Sequence, residues 1–144
     1  RLQSNKVKYL VSFVDLIHGV DSVALLEEIE RRAQKAGRVV EALVQLNVSD
    51  EKQKNGTDEA GLARILDAAE SLRHVRLRGL MAIVEHTDDE ATLRAQFRRL
   101  RAALPAGMEV LSMGMSDDFE IAVEEGSTMV RIGTAIFGPR PSGA

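Results

Sequence analysis

A chain of 144 residues without a single cysteine excludes a disulfide framework, a thiol nucleophile and a thiolate metal site. Nineteen basic residues stand against twenty-two acidic ones, and the resulting charge of −3 implies no surface for nucleic acid or an anionic membrane. No apolar run approaches the roughly 18 residues of a membrane span, and 44% hydrophobic with 28% charged residues is the balance of one globular domain, residues 1–144, with a sizeable core.

The first eight residues are polar and basic, and LQSNKVK at 2–8 reads as a loop entering a short helix capped by Ser4 or Asn5. Phe13–Ile17 reads as a short strand closed by His18 and Gly19, with His18 either a hydrogen-bonded structural histidine or a group facing a site. Asp21 is the expected cap of a helix running to Ala36, where Leu26, Ile29, Ala33 and Ala36 form one apolar stripe and Gly37 ends it. Glu27, Glu28, Arg31, Arg32 and Lys35 make its solvated face. Val39–Val48 is apolar enough for a parallel strand buried on both faces, and Gln45 and Asn47, at alternate positions, are expected to point the same way.

SDEKQKNG at 49–56 is a charged loop. Thr57 or Asp58 starts a helix that buries Leu62, Ile65, Leu66, Ala69 and Leu72. The strand expected over Arg76–Val84 contains Gly79, where another backbone is expected to come close, and Met81 near its end is either core or ligand wall. Glu85 and His86 follow in a loop, Thr87 and Glu90 have the spacing of a capping box, and Leu93, Phe97, Leu100 and Leu104 line the next helix up to Pro105.

The richest stretch is VLSMGMSDDFEIAVEEGSTMVRIGTAIFG at 110–138. It reads as a strand over Val110–Met113, a turn at Gly114, a helix opening at Ser116-Asp117-Asp118 and stopping at Gly126, a strand over Thr128–Ile132 and a turn at Gly133. Two adjacent glycine-and-hydroxyl turns collect backbone N–H groups at one sheet end, the arrangement that holds a phosphate. Against that, Ser116 is also an ordinary N-cap, and Asp117 and Asp118 repel an anion. Arg131 lies inside an apolar strand, where an unpaired guanidinium costs several kcal/mol, on the order of ion desolvation penalties in proteins. It therefore needs a carboxylate or a ligand. PRPSGA at 139–144 reads as a frayed tail.

Five strands alternating with four helices imply a parallel sheet with right-handed crossovers, either an open doubly-wound sheet or part of a barrel. Phosphate turns after the last two strands favour the barrel.

MGMSDD at 113–118 and STMVRIGTAIFG at 127–138, with LQSNK at 2–6, QLNVSDEKQKNG at 45–56 and RGLMA at 78–82, resemble the pyridoxal phosphate (PLP) homeostasis proteins over essentially the whole chain. That family is similar to the barrel domain of alanine racemase. The resemblance implies an α/β fold, a parallel (β/α)8 TIM-type barrel of which this chain holds about the last five strands, and a cytoplasmic location. It further implies that Ser116 with the backbone of Gly133 and Thr134 grips the cofactor's phosphate, that Arg131 faces the pyridine nitrogen, and that Met115 and Met81 belong to the cofactor wall. The family's cofactor-linking lysine is expected upstream of Arg1, and the open barrel side is expected to be covered by that upstream segment, a partner chain or self-association.

A permanently charged arginine at the ring nitrogen disfavours its protonation, which favours carriage or buffering of PLP over turnover. Two other readings stay open: a PLP-dependent racemase relative, and a barrel enzyme for another phosphorylated small molecule with Glu85 and His86 as its acid/base pair.

Overall fold

The computed structural model describes residues 2–49 and 55–139. Residues 50–54 of the expected charged loop and the expected frayed tail beyond Pro139 lie outside the described residues. Among the described residues six helices and four strands follow in the order α1 (Ser4–Leu10), β1 (Leu16–Val20), α2 (Val23–Ala36), β2 (Val40–Gln45), α3 (Glu59–Ala69), β3 (Val75–Met81), α4 (Glu90–Ala102), β4 (Val110–Ser112), α5 (Phe119–Glu124) and α6 (Thr134–Phe137). The four strands form one parallel sheet in sequence order. None of the described helices is long and apolar enough to cross a membrane.

The long helices form where apolar residues recur at helical spacing. α2 buries Leu25, Leu26, Ile29 and Ala33, and α4 buries Leu93, Phe97 and Leu100. These pack on Val40, Ala42 and Val44 of β2 and on Leu80 and Leu111 to make a single core. Ala36, expected in the stripe of α2, is exposed. The caps fall close to their expected places. Ser22 rather than Asp21 caps α2, its hydroxyl accepting the Leu25 N–H, while Asp58 caps α3 by accepting from Gly61 at 2.7 Å. Asp89 rather than Thr87 caps α4, so the expected capping box does not form.

Gly79 meets its expectation directly: a Cβ there would stand 1.8 Å from the carbonyl oxygen of Val110 on β4. The first strand starts later than expected, because Phe13 and Val14 close the turn after α1 by donating to the Leu10 carbonyl. His18 and Gly19 consequently lie within β1 and do not close it.

The fifth expected strand, Thr128–Ile132, is corrected to an isolated parallel bridge between Ser112 and Met129. Side-chain hydroxyls replace ladder groups here. Leu111 N–H donates to the Thr128 hydroxyl at 2.8 Å, and the Ser127 hydroxyl donates to the Met113 carbonyl at 2.7 Å. The segment still runs beside β4, with Met113 N–H donating to the Met129 carbonyl and Arg131 N–H to the Gly114 carbonyl.

Two bulges bend the sheet. Between Ile17↔Ala42 and Val20↔Val44, β1 advances three residues to the two of β2, and between Ala42↔Leu77 and Leu43↔Gly79, β3 takes one extra residue. Bulges sharpen local twist and re-aim side chains. In a flat sheet β1 and β4 would lie about 14 Å apart at the usual strand spacing, yet His18 Nδ1 on β1 lies 3.0 Å from Ser112 Oγ on β4. The sheet therefore curls strongly, with helices outside and β1 turned toward β4 across the concave face.

Candidate functional site

Register assigns the residues of that concave face. Gln45 pairs with Met81 and Met81 with Ser112, so one row at the C-terminal sheet end carries an amide, a thioether and a hydroxyl on the same side. All three are buried, Ser112 completely. Gln45 reaches β1: a Cβ built at Gly19 would meet its side-chain oxygen at 3.5 Å, an ordinary van der Waals contact. Asn47, expected beside Gln45, lies past the end of β2, where strand alternation no longer applies. Its side-chain Oδ1 accepts from the N–H and hydroxyl of Ser49, and it lines a different cavity from Gln45.

Arg131 enters this row from the segment after α5. Its Nη1 donates to the Ser112 carbonyl at 2.9 Å and to the Ser112 hydroxyl at 2.8 Å, and its Nη2 donates to the Ala82 carbonyl at 2.9 Å. Among the described residues no carboxylate forms an ion pair with it, so the simple buried-ion-pair alternative is not what the structure contains. Burial pulls the guanidinium below its ordinary pKa, and the charge of Asp118 partly opposes that shift. His18 completes the group through Ser112 Oγ. Burial first, and the Arg131 charge second, hold its imidazole below the ordinary histidine value.

A second cluster lies one turn away along the chain. Ser116 is not the cap of its own helix: Asp118 is the N-cap of α5, and its carboxylate accepts the Met115 N–H at 2.7 Å. The freed Ser116 hydroxyl instead accepts N–H groups from the start of α6, at 3.4 Å from Gly133 and 3.1 Å from Ala135. The structure thus brings Ser116 and Gly133 together as expected for the turns, while the second converging N–H belongs to Ala135 and not to Thr134. At Gly133 a Cβ would meet nothing within 4 Å. Gly114 joins the two clusters. Its carbonyl takes the Arg131 N–H, and its φ of 97° together with a Cβ position 2.7 Å from Ala122 reserves the site for glycine.

Met81 stands buried beside Ser112, whereas Met115 is exposed at the rim. Glu85 and His86 are not part of either cluster: Glu85 exchanges hydrogen bonds with Gln96 of α4, and His86 is exposed. Among the described residues no group of acids and histidines has the arrangement of a metal site. Sequence reasoning weighed His18 without assigning it and passed over Ser112; the available signal for the latter was a lone hydroxyl inside an apolar strand.

Residues 2–141 match the family model for the alanine racemase N-terminal domain. The chain is 42% identical to a pyridoxal phosphate homeostasis protein of Aquifex aeolicus, over 97% of this chain and 64% of that protein. It is 40% identical to the protein of the same name in Pseudomonas aeruginosa, over 99% and 64% of the two chains. The chain therefore spans 64% of the length of these curated relatives. Among solved structures it is similar to PipY of Synechococcus elongatus with PLP bound, at 36% identity and a TM-score of 0.88, covering 96% of this chain and 68% of PipY. With a parallel α/β sheet and a family match over almost its whole length, the chain belongs to the alanine racemase N-terminal domain family.

Proposed function

We propose that this chain binds PLP in the concave end of its sheet and serves in carrying or buffering the cofactor in the cytoplasm. The curved sheet, with the 128–132 segment at its edge, is in this reading the C-terminal portion of a (β/α)8 barrel. The observation that carries the reading is the guanidinium of Arg131, held at the sheet end by neutral acceptors alone. Three of its five N–H donors are engaged by Ser112 and Ala82, which leaves the Nε–H and one Nη2–H without a partner among the described residues. No described side-chain atom is buried and unpaired, so the Nε atom is open to solvent.

These residues fit the cofactor. Two donors beside a neutral environment suit a ring nitrogen with a free lone pair, and the N–H groups now turned to the Ser116 hydroxyl suit a phosphate. Bound there, PLP supplies an aldehyde and an electron-poor ring. Arg131 would orient the ring and keep its nitrogen unprotonated, because like charges repel; Ser116, Gly133 and Ala135 would hold the phosphate; Met81 would pack beside the ring. The relatives' names and the PLP bound to PipY support the same ligand.

Carriage is favoured over turnover by what surrounds the ring. Tyr9 is the one tyrosine of the sequence. It is exposed on α1 with Lys8 over its ring, so this chain brings no tyrosine to the site as a second acid/base group.

A phosphorus NMR titration of PLP with the purified chain tests the reading. A saturable shift of the phosphate resonance is expected, weakened about tenfold by Ser116→Ala, the scale of one hydrogen bond to a charged group. Absence of saturation, or an unchanged affinity in the variant, would overturn it.

A further inference from the structure

Ser112 and Arg131 lie in the last third of the chain, yet β1 delivers His18 to them, 94 positions before Ser112. The hydrogen inventory at Ser112 fixes what His18 does there. A serine hydroxyl has one proton and two lone pairs, and arginine only donates. The 2.8 Å contact from Arg131 Nη1 therefore occupies a lone pair of Ser112 Oγ. Ser112 is completely buried, which leaves its proton no solvent, and the acceptor within reach is His18 Nδ1 at 3.0 Å. His18 is then neutral, with its own proton on Nε2. Donation runs in one direction, from Arg131 to Ser112 to His18. Among the described residues the charged group facing His18 is Arg131, with Asp118 acting on Arg131 in turn.

We propose that His18 is a positioning residue of the ligand site: by accepting the Ser112 proton it aims the Ser112 lone pair at Arg131 and so fixes the direction of the two free guanidinium donors toward a ring-nitrogen acceptor. This rests on the PLP reading. The bulge in β1 is the device that makes it possible, since regular pairing would not carry an imidazole across the sheet. A protonated His18 would bring a second positive charge against Arg131 and would itself donate to Ser112. The serine proton would then lose its acceptor and the guanidinium its orientation.

The test has a ligand-free arm and a bound arm. Without ligand, nitrogen NMR of the labelled chain is expected to show the Nε2–H tautomer of His18 and slowly exchanging guanidinium protons on Arg131. His18→Ala is expected to broaden the latter, whereas His18→Asn, whose amide oxygen accepts the same proton, keeps them. With ligand, His18→Ala is expected to weaken PLP at least about tenfold, the scale of one hydrogen bond to a charged group. His18→Asn is expected to restore the affinity, and His18→Ala to have no further effect in an Arg131→Met background. Benzyl phosphate, which lacks the ring nitrogen, is expected to bind wild type and His18→Ala alike. Should His18→Ala fail to fold, Ser112→Ala removes the same link and is judged by the same criteria. Failure of the wild-type chain to bind PLP overturns the functional reading but not the positioning seen without ligand. An Nδ1–H tautomer, unchanged affinity in His18→Ala, or additive losses with Arg131→Met overturn the role of His18 while leaving the PLP reading intact.

Discussion

Replacing Arg131 by methionine separates holding the fold together from holding a ligand. The variant deletes three hydrogen bonds, but their acceptors fare differently. The Ser112 carbonyl keeps the Ala82 N–H at 3.1 Å, and the Ser112 hydroxyl keeps His18. Only the Ala82 carbonyl loses its partner, a cost of about 1–3 kcal/mol for an unsatisfied buried group. Against this, the variant removes a half-buried cation that forms no ion pair among the described residues, and the penalty for such burial is also several kcal/mol, on the order given for ions in proteins. Methionine is unbranched and fills the vacated channel. The two effects nearly cancel, so urea denaturation followed by circular dichroism is expected to give a stability within about 1 kcal/mol of wild type, inside the ordinary range for single substitutions. PLP affinity is expected to fall by about 1.5–3 kcal/mol, the worth of a charge-assisted hydrogen bond. A loss of stability beyond about 3 kcal/mol, the range of a broken buried network, would show that Arg131 is a strut of the sheet and would refute the reasoning.

Two further outcomes follow from the packing and the charges. Gly79→Ala drives its Cβ to 1.8 Å from the Val110 carbonyl oxygen, a backbone atom that cannot rotate away; it is expected to part β3 from β4, to cost upward of about 3 kcal/mol and to weaken PLP binding, and a urea midpoint equal to wild type would show the close approach to be harmless. Acidification is expected to lower stability in two stages. His18 is held below its ordinary pKa, so the unfolded chain takes up the proton first and stability declines as pH falls from about 6.5 toward the lowered folded value. Glu28, paired with Arg32 and Arg31, and Glu125, paired with Arg98 and Arg94, are also held low, so their contribution is present above about 4.5 and is lost as pH falls through their folded values. His18→Asn should abolish the first stage alone, and denaturation midpoints that stay flat between about pH 7 and 5 would contradict the assignment.

What could be read from the sequence was whatever rests on local periodicity or on one residue's shape. The stripes of α2, α3 and α4 are visible as spacings, Gly37 as a left-handed cap with φ of 62°, and Gly79 as a missing side chain beneath another strand. Thr128–Ile132 was misread because β-branched composition does not reveal that Ser127 and Thr128 would use their hydroxyls in place of ladder groups. α6 has four residues, too few for a periodic signal. The contact between His18 and Ser112 depends on a bulge and on the curl of the sheet, neither of which is encoded at either residue. Ser116 was placed at the start of a helix, but the helix it serves is the one 18 positions later that begins at Thr134.

The charge balance at the sheet end connects these observations. Leu111 and Met113 are committed to the helix layer by strand alternation, so Ser112 alone between them faces the concave side. Every partner Ser112 presents to Arg131 is neutral: its own carbonyl, its hydroxyl and, through the hydroxyl, an imidazole held in its neutral form. Asp118 tempers the field but spends a carboxylate oxygen on the Met115 N–H. The converging N–H groups of Gly133 and Ala135 add further positive partial charge close by in the chain, and their present acceptor is a neutral serine. Positive charge is thus gathered at one end of the fold, with each element paired to something uncharged and with donors left over. A fold selected only for stability would place a carboxylate against Arg131. Among the described residues no carboxylate forms an ion pair with it, and the proposed PLP site rests on that: an anionic ligand there would bring the charge that the protein's own acceptors do not supply.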